Sequence, residues 1–163
     1  MNILVCIDFS ESTEIIIKKA AEFAKNHAAK LWIIHITSPD QGFVGYEPAS
    51  LKQSGTLSYH IETQTNSQPI RNYIANDLHQ KHQQIQHIAK CMREQDLDTT
   101  ALLIQGTTVK AILNKASKLS ADMIIIGSHG HGKMYQILLG SVSEEVIHSA
   151  KCPILVVPIL DCE

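Results

Sequence analysis

Apolar residues fall along this chain in blocks of two different periods. Ile3 to Ile7 is a short, continuous apolar run that ends at Asp8, after which Ser10, Glu11 and Glu14 supply a cap and an acidic first turn. From there to about Asn26, Ile16, Ala20, Phe23 and Ala24 recur at the i, i+4, i+7, i+8 spacing that lines one helical face. Leu31 to Ile36, rich in bulky and branched side chains, reads as a second strand. Farther on, Ile74, Leu78, Ile85, Ile88 and Met92 mark a helix across about 70–95, its apolar stripe interrupted by Lys81. Thr99 to Ile104 is strand three, and Gly106 and Thr107 punctuate the entry to a helix with Val109, Ile112, Leu113 and Ala116 on one side. Met123 to Ile126 is strand four, a helix is expected near 141–149, and Ile154 to Val157, flanked by Pro153 and Pro158, is strand five.

Strands alternating with helices predict a parallel α/β sheet, and a run such as Met123-Ile124-Ile125-Ile126 implies burial on both faces. In an open sheet of this class, ligands bind beyond the carboxyl ends of the strands, where the strand order reverses. Asp8, Ile36, Gly106 and Gly127 all stand at such ends. The stretch from 38 to 69 breaks the pattern: it holds three of the five prolines and three of the eight glycines, and reads as a long loop with Phe43, Tyr46 and Tyr59 as anchors. Either a lid, a partner surface or plain mobility fits that composition.

Composition narrows the setting. The 163 residues fit one domain with one packed core, and 44% hydrophobic with 18% charged residues argues against disorder. A formal net charge of -2 gives nonspecific nucleic-acid binding little support. No apolar run is long enough for a membrane span, and Met1-Asn2-Ile3-Leu4-Val5-Cys6 enters a strand without a basic leader, so a cytoplasmic protein is expected. Cys6, Cys91, Cys152 and Cys162 are widely scattered and are expected to be reduced thiols.

The informative segment runs from Gly127 to Glu144. Glycines at 127, 130 and 132 let backbone amides approach a phosphate without a side chain in the way. Gly140 and Ser141 open a helix whose first amides have no internal partner and whose dipole favours negative charge. Ser141 and Ser143 add hydroxyl donors, and His129, His131 and Lys133 are placed to add charge. Ser141 with Glu144 also fits a Ser-x-x-Glu capping box, which accounts for those two residues without a ligand but not for the glycines or Ser143.

Gly127-x2-Gly130-x9-Gly140-Ser141 resembles the glycine pattern of the ATP-binding branch of the universal stress protein family. The likeness extends to Ile3-Leu4-Val5-Cys6-Ile7-Asp8-Phe9-Ser10-Glu11, to Ala121-Asp122-Met123-Ile124-Ile125-Ile126-Gly127, and to Cys152-Pro153-Ile154-Leu155-Val156-Val157; the 38–69 segment has no clear counterpart. The resemblance implies an open, mostly parallel five-stranded sheet of order 3-2-1-4-5 with helices on both faces. It implies that Asp8 sits by the adenine and ribose and that Ile36 lines the base pocket, with Gly106 at a neighbouring strand end. Gly127 would start the phosphate turn, Gly130, Gly140, Ser141 and Ser143 would hold the phosphates, and Val142 would present its amide. The ligand so implied is ATP, or ADP or AMP, with or without magnesium. The resemblance also implies a homodimer joined through Ile154, Leu155, Val156 and Val157.

Rival chemistries find less in the chain. Gly127-x4-Gly132-Lys133 imitates a Walker A loop but is followed by Met134, where that motif needs a Ser or Thr for magnesium. A dinucleotide fold would carry its glycine fingerprint after strand one, where Asp8-Phe9-Ser10-Glu11 stands, and a receiver domain needs an acidic pocket where strand three ends in Gln105-Gly106. His79, His82 and His87 share a helix but no Cys or carboxylate completes a metal set, so solvated histidines are expected. No nucleophile, base and orienter form a recognisable set. Three readings follow: a nucleotide-binding regulatory module, a weak magnesium-dependent ATPase or adenylate-handling enzyme, and a dimeric interaction protein in which nucleotide is incidental.

Overall fold

The computed structural model describes residues 1–37, 67–128 and 139–159. In chain order these form β1 (Asn2–Ile7), α1 (Ser12–His27), β2 (Lys30–Thr37), α2 (Ser67–Arg93), β3 (Thr99–Gln105), α3 (Thr108–Lys118), β4 (Met123–Gly127), α4 (Ser141–Ser149) and β5 (Ile154–Val157). Each strand and helix read from the pattern of the sequence is present. The anchors Phe43, Tyr46 and Tyr59 lie outside the described residues, and so do Cys162 and the segment 129–138 with Gly130, His129, His131 and Lys133.

The strands make one sheet of order β3-β2-β1-β4-β5, parallel at every pairing. Ile3, Val5, Ile7, Leu31 and Ile33 point to one face and pack with Ile16, Ala20 and Ala24 of α1 and with Ile85, Ala89 and Met92 of α2. Their alternate neighbours Leu4, Cys6, Ile34, Ile124 and Ile126 point to the other, against Val109, Ile112 and Ala116 of α3 and Val146 of α4. Alternation along a pleated strand sends successive side chains to opposite layers, so an unbroken apolar run fills both. Burial pushes the Cys6 thiol up to about 12, and Cys6, Cys91 and Cys152 are all free.

One boundary and two caps differ from the sequence reading. The helix α2 begins at Ser67 instead of about 70, because Pro69 falls in its first turn, where the missing N–H has no partner to lose. At α1 the expected cap is absent: Glu11 occupies the N-cap without a side-chain bond, while the Ser10 hydroxyl turns back to Asp8 Oδ1 and meets Ser12 Oγ at 2.6 Å. At α4 the N-cap is Gly140, no side-chain cap bond forms, and the Ser141–Glu144 capping box is not made.

Candidate functional site

The chain reverses its winding at β1. Both α1 and α2 lie on one face and connect strands on the β2 side, whereas α3 and α4 lie on the other and lead to strands on the β4 side. Such a switch point leaves a crevice beyond the strand ends. Here its opening is visible in the register: β1 pairs with β2 as far as Ile7↔His35 but with β4 only as far as Val5↔Ile125. Past that point β4 continues beside β5, through Gly127↔Val157, and the two central strands part.

One wall of the crevice is the turn after β1. Asp8 Oδ1 accepts the Ser10 N–H at 3.0 Å and the Ser10 hydroxyl, an Asx-type turn that fixes the carboxylate. Phe9 follows with φ 60, in the left-handed region that a residue with a Cβ seldom adopts. Its ring lies 4.4 Å from that of the buried His35, whose Nδ1 is 3.0 Å from the Ile7 carbonyl. Burial holds the His35 imidazole below its ordinary pKa, helped by the positive charge of Lys81, against the opposing pull of the Ile7 carbonyl, Asp8 and Asp77. Lys81, the polar break in the stripe of α2, pairs with Asp77 at 2.8 Å.

The opposite wall is the start of α4, tied to the end of β4. Ser143 Oγ donates to the Gly127 carbonyl at 2.7 Å, and the Gly140 N–H donates to the Ser128 carbonyl at 2.8 Å. Ser128 also donates its N–H to Val157 O at 2.8 Å and accepts the Ile159 N–H on Oγ at 3.1 Å, so it joins β4, β5 and α4. The first internal bond of the helix runs from the Glu144 N–H to Gly140 O at 2.9 Å. The N–H groups of Ser141, Val142 and Ser143 therefore have no partner within the helix, and they lie at the positive end of its dipole. Glu144 is exposed and makes no cap bond that would occupy this end.

The predicted residues thus divide. Asp8, Gly127, Gly140, Ser141, Val142 and Ser143 come to the two walls of one crevice. Ile36 is part-buried on the α3 and α4 side at the end of β2. Gly106 stands farther out, ending the edge strand β3, with its N–H on Thr37 O at 3.0 Å and φ +155, so its glycine serves the backbone path into α3. Two roles change. The Ser143 proton is committed to Gly127, leaving its amide rather than its hydroxyl as a donor. Gly140 has φ -63 and ψ 149, extended backbone open to any residue, so it needs no special conformational freedom. His79, His82 and His87 are exposed and pair along the helix with Gln83, Gln86 and Cys91, as solvated histidines. Among the described residues no group of three or more His, Cys, Asp or Glu is placed to hold a metal.

The universal stress protein family model matches residues 1–158. The chain belongs to that family. It is 26% identical over 156 residues to universal stress protein MJ0577 of Methanocaldococcus jannaschii, covering 96% of this chain and 93% of that one. The solved structure of MJ0577 superposes with a TM-score of 0.74 at 25% identity, over 99% of this chain and 97% of that one. A universal stress protein of Archaeoglobus fulgidus, solved in complex with dAMP, shares the fold at TM-score 0.61 and 18% identity, with 96% of each chain covered. A universal stress protein solved in complex with cAMP shares the fold at TM-score 0.59 and 19% identity over 97% of this chain and 96% of that one.

Sequence reasoning missed His35, Phe9 and Ser128. His35 is a polar residue inside the apolar run Leu31 to Ile36, and that interruption is the signal that marks it. Phe9 and Ser128 carry no signal of their own, since a positive φ and a three-way junction are properties of the folded backbone. Thr13, in the first turn of α1, is also unexpected: its Oγ1 is the buried side-chain oxygen without a partner among the described residues. Among the described residues a groove of about 320 Å³ lies elsewhere, along α1 and the sheet edge between Ile15, Phe23, Leu155 and Val157.

Proposed function

We propose that this chain is an adenine-nucleotide-binding regulatory protein, its crevice taking ATP or the related ADP or AMP, and that it works as a homodimer. The observation that carries the reading is the pinned start of α4, where the amides of Ser141, Val142 and Ser143 lack helical partners beside the gap between β1 and β4. Amides and a helix dipole aimed at one point fit a phosphate. Asp8, whose Oδ1 accepts from Ser10, has the chemistry to meet the hydroxyls of a ribose or the amino group of a base, and the part-buried Ile36 suits the flat face of a base. Outside the described residues, Gly130 is assigned to the phosphates by the glycine pattern, and His129, His131 and Lys133, which share its loop in the sequence, are candidates for phosphate contact. The complexes of related proteins with dAMP and cAMP agree in ligand class. Magnesium, where present, would arrive with the nucleotide, since the described residues offer no metal cluster of their own.

Among the described residues no nucleophile and base meet at the crevice walls, and the bound nucleotide is read as a signal that changes the surface offered to partners. The homodimer is assigned to the outer edge of β5. Among the described residues that strand pairs only with β4, and it is bordered by the apolar groove of Ile15, Phe23 and Leu155.

The test is to release and identify any small molecule that co-purifies with the protein, then to titrate the emptied protein with ATP by calorimetry. Gly140→Val is the paired variant. Residue 140 sits in extended backbone that valine can adopt, at a cost of about 1 kcal/mol for a poorer N-cap, and the change places a branched side chain at the proposed phosphate approach. Saturable ATP binding that is lost in a folded Gly140→Val protein is the expected result. An empty protein indifferent to millimolar ATP would overturn the nucleotide assignment and leave the fold and family standing.

A further inference from the structure

We infer that His35 is the positioning residue for Asp8: its buried ring holds the residues on both sides of that carboxylate, Ile7 by a hydrogen bond and Phe9 by ring contact. The inference rests on the nucleotide reading above, and deepens it by naming what sets the adenosine end of the crevice.

The geometry is unusual for a core residue. Ile7 and His35 are register partners on adjacent parallel strands, and the imidazole reaches back to the main chain of its own partner. A carbonyl accepts, so Nδ1 at 3.0 Å carries the proton and donates to Ile7 O. Two residues later the Phe9 ring lies against the imidazole at 4.4 Å, tilted by 46°. The backbone between them is bent into φ 60 at Phe9, a conformation that persists only where surrounding contacts over-determine it. Asp8 is thus held from three sides: Ile7 before it, Phe9 after it, and Ser10 closing the turn onto Oδ1. A leucine of similar volume would fill the space under β2 but would offer the Ile7 carbonyl nothing. The charged groups around the ring are Lys81 and Asp77 from α2 and Asp8 from the turn after β1. Burial keeps the imidazole neutral among them, so at neutral pH it donates without adding a charge beneath the carboxylate.

The experiment compares the intact chain with His35→Asn, His35→Phe and Phe9→Leu. Asparagine places an N–H where Nδ1 stood; phenylalanine keeps a ring and loses the donor; Phe9→Leu removes the ring contact and leaves the buried histidine untouched. Two readouts are taken on proteins with parent-like circular dichroism: amide exchange at Ser10, and affinity for ATP, adenosine and tripolyphosphate by calorimetry. In His35→Phe, Ser10 exchange should rise and affinity for ATP and adenosine should fall together by about tenfold, the effect of one hydrogen bond, with tripolyphosphate unchanged. His35→Asn should stay within about threefold of the parent on every readout, and Phe9→Leu should move in the direction of His35→Phe by less. If His35→Phe does not fold, Phe9→Leu decides, since it alters only the outer half of the grip. Parent-like Ser10 exchange in the folded variants overturns the inference, as does an equal loss for adenosine and tripolyphosphate. A parent that binds no ATP, with Ser10 exchange still raised in the variants, defeats the nucleotide reading and leaves the positioning of Asp8 intact.

Discussion

Ser141 and Ser143 look alike in the sequence, and the fold gives them different work. Ser143 is buried and donates to the Gly127 carbonyl at 2.7 Å, so Ser143→Ala leaves a buried acceptor without its donor and should cost about 1–3 kcal/mol in denaturant unfolding. Ser141 is exposed at the first helical position and makes no cap bond, so Ser141→Ala should stay within about 0.5 kcal/mol. Equal costs in the two melts would mean that the tie between α4 and β4 is not what holds this end of the sheet. His35 sets a pH dependence of the opposite kind to the common histidine pairing. Its folded pKa is lowered by burial, so the unfolded chain takes up the proton first. Stability should be full above the ordinary imidazole value near 6.5 and should fall as pH drops below it towards the lowered folded value. Urea midpoints across that window, with His35→Asn as the flat control, check the sign.

The elements themselves were legible where a period of two or 3.6 ran unbroken, as in β1, β4 and α3. Their ends were less so. Pro69 looks like loop punctuation, yet a proline in a first turn loses no bond, and α2 starts before it. The capping patterns at Ser10 and Ser141 matched their motifs and failed in the fold for different reasons: the Ser10 hydroxyl turns to Asp8, whereas Gly140 takes the N-cap of α4 and leaves Ser141 at the first helical position. The glycines also divide by element. Among the described residues Gly106, with φ +155 between β3 and α3, is the glycine whose backbone disfavours a side chain. A Cβ there would meet Ala111 Cβ at 3.8 Å, an ordinary contact, so the cost of Gly106→Ala comes from the backbone and should be about 1 kcal/mol or more in a thermal or urea melt. A neutral Gly106→Ala would show that the turn relaxes freely.

At the level of the whole molecule, the order β3-β2-β1-β4-β5 does two things at once: it opens the crevice between β1 and β4, and it puts β5 at an edge. The proposed dimer depends on that edge. Val156→Lys, which adds a charge to the middle of β5 beside the apolar groove, should convert a dimer to a monomer in sedimentation equilibrium while keeping the circular dichroism of the parent. A dimer that survives the change would move the interface elsewhere. The chain's own sequence determined the five strands, the four helices between them, the two-sided core and the glycine-marked segment from Gly127 to Ser141, because period, apolar runs and glycine spacing are local properties that survive in one dimension. Only the tertiary structure decided that β1 and β4 part after Val5 and Ile125, that Ser128 and Ser143 pin α4 over that gap, and that His35 reaches Ile7 and Phe9. Those are contacts between residues far apart in the chain or one strand across. Their geometry is set by register and twist rather than by any residue's own preference.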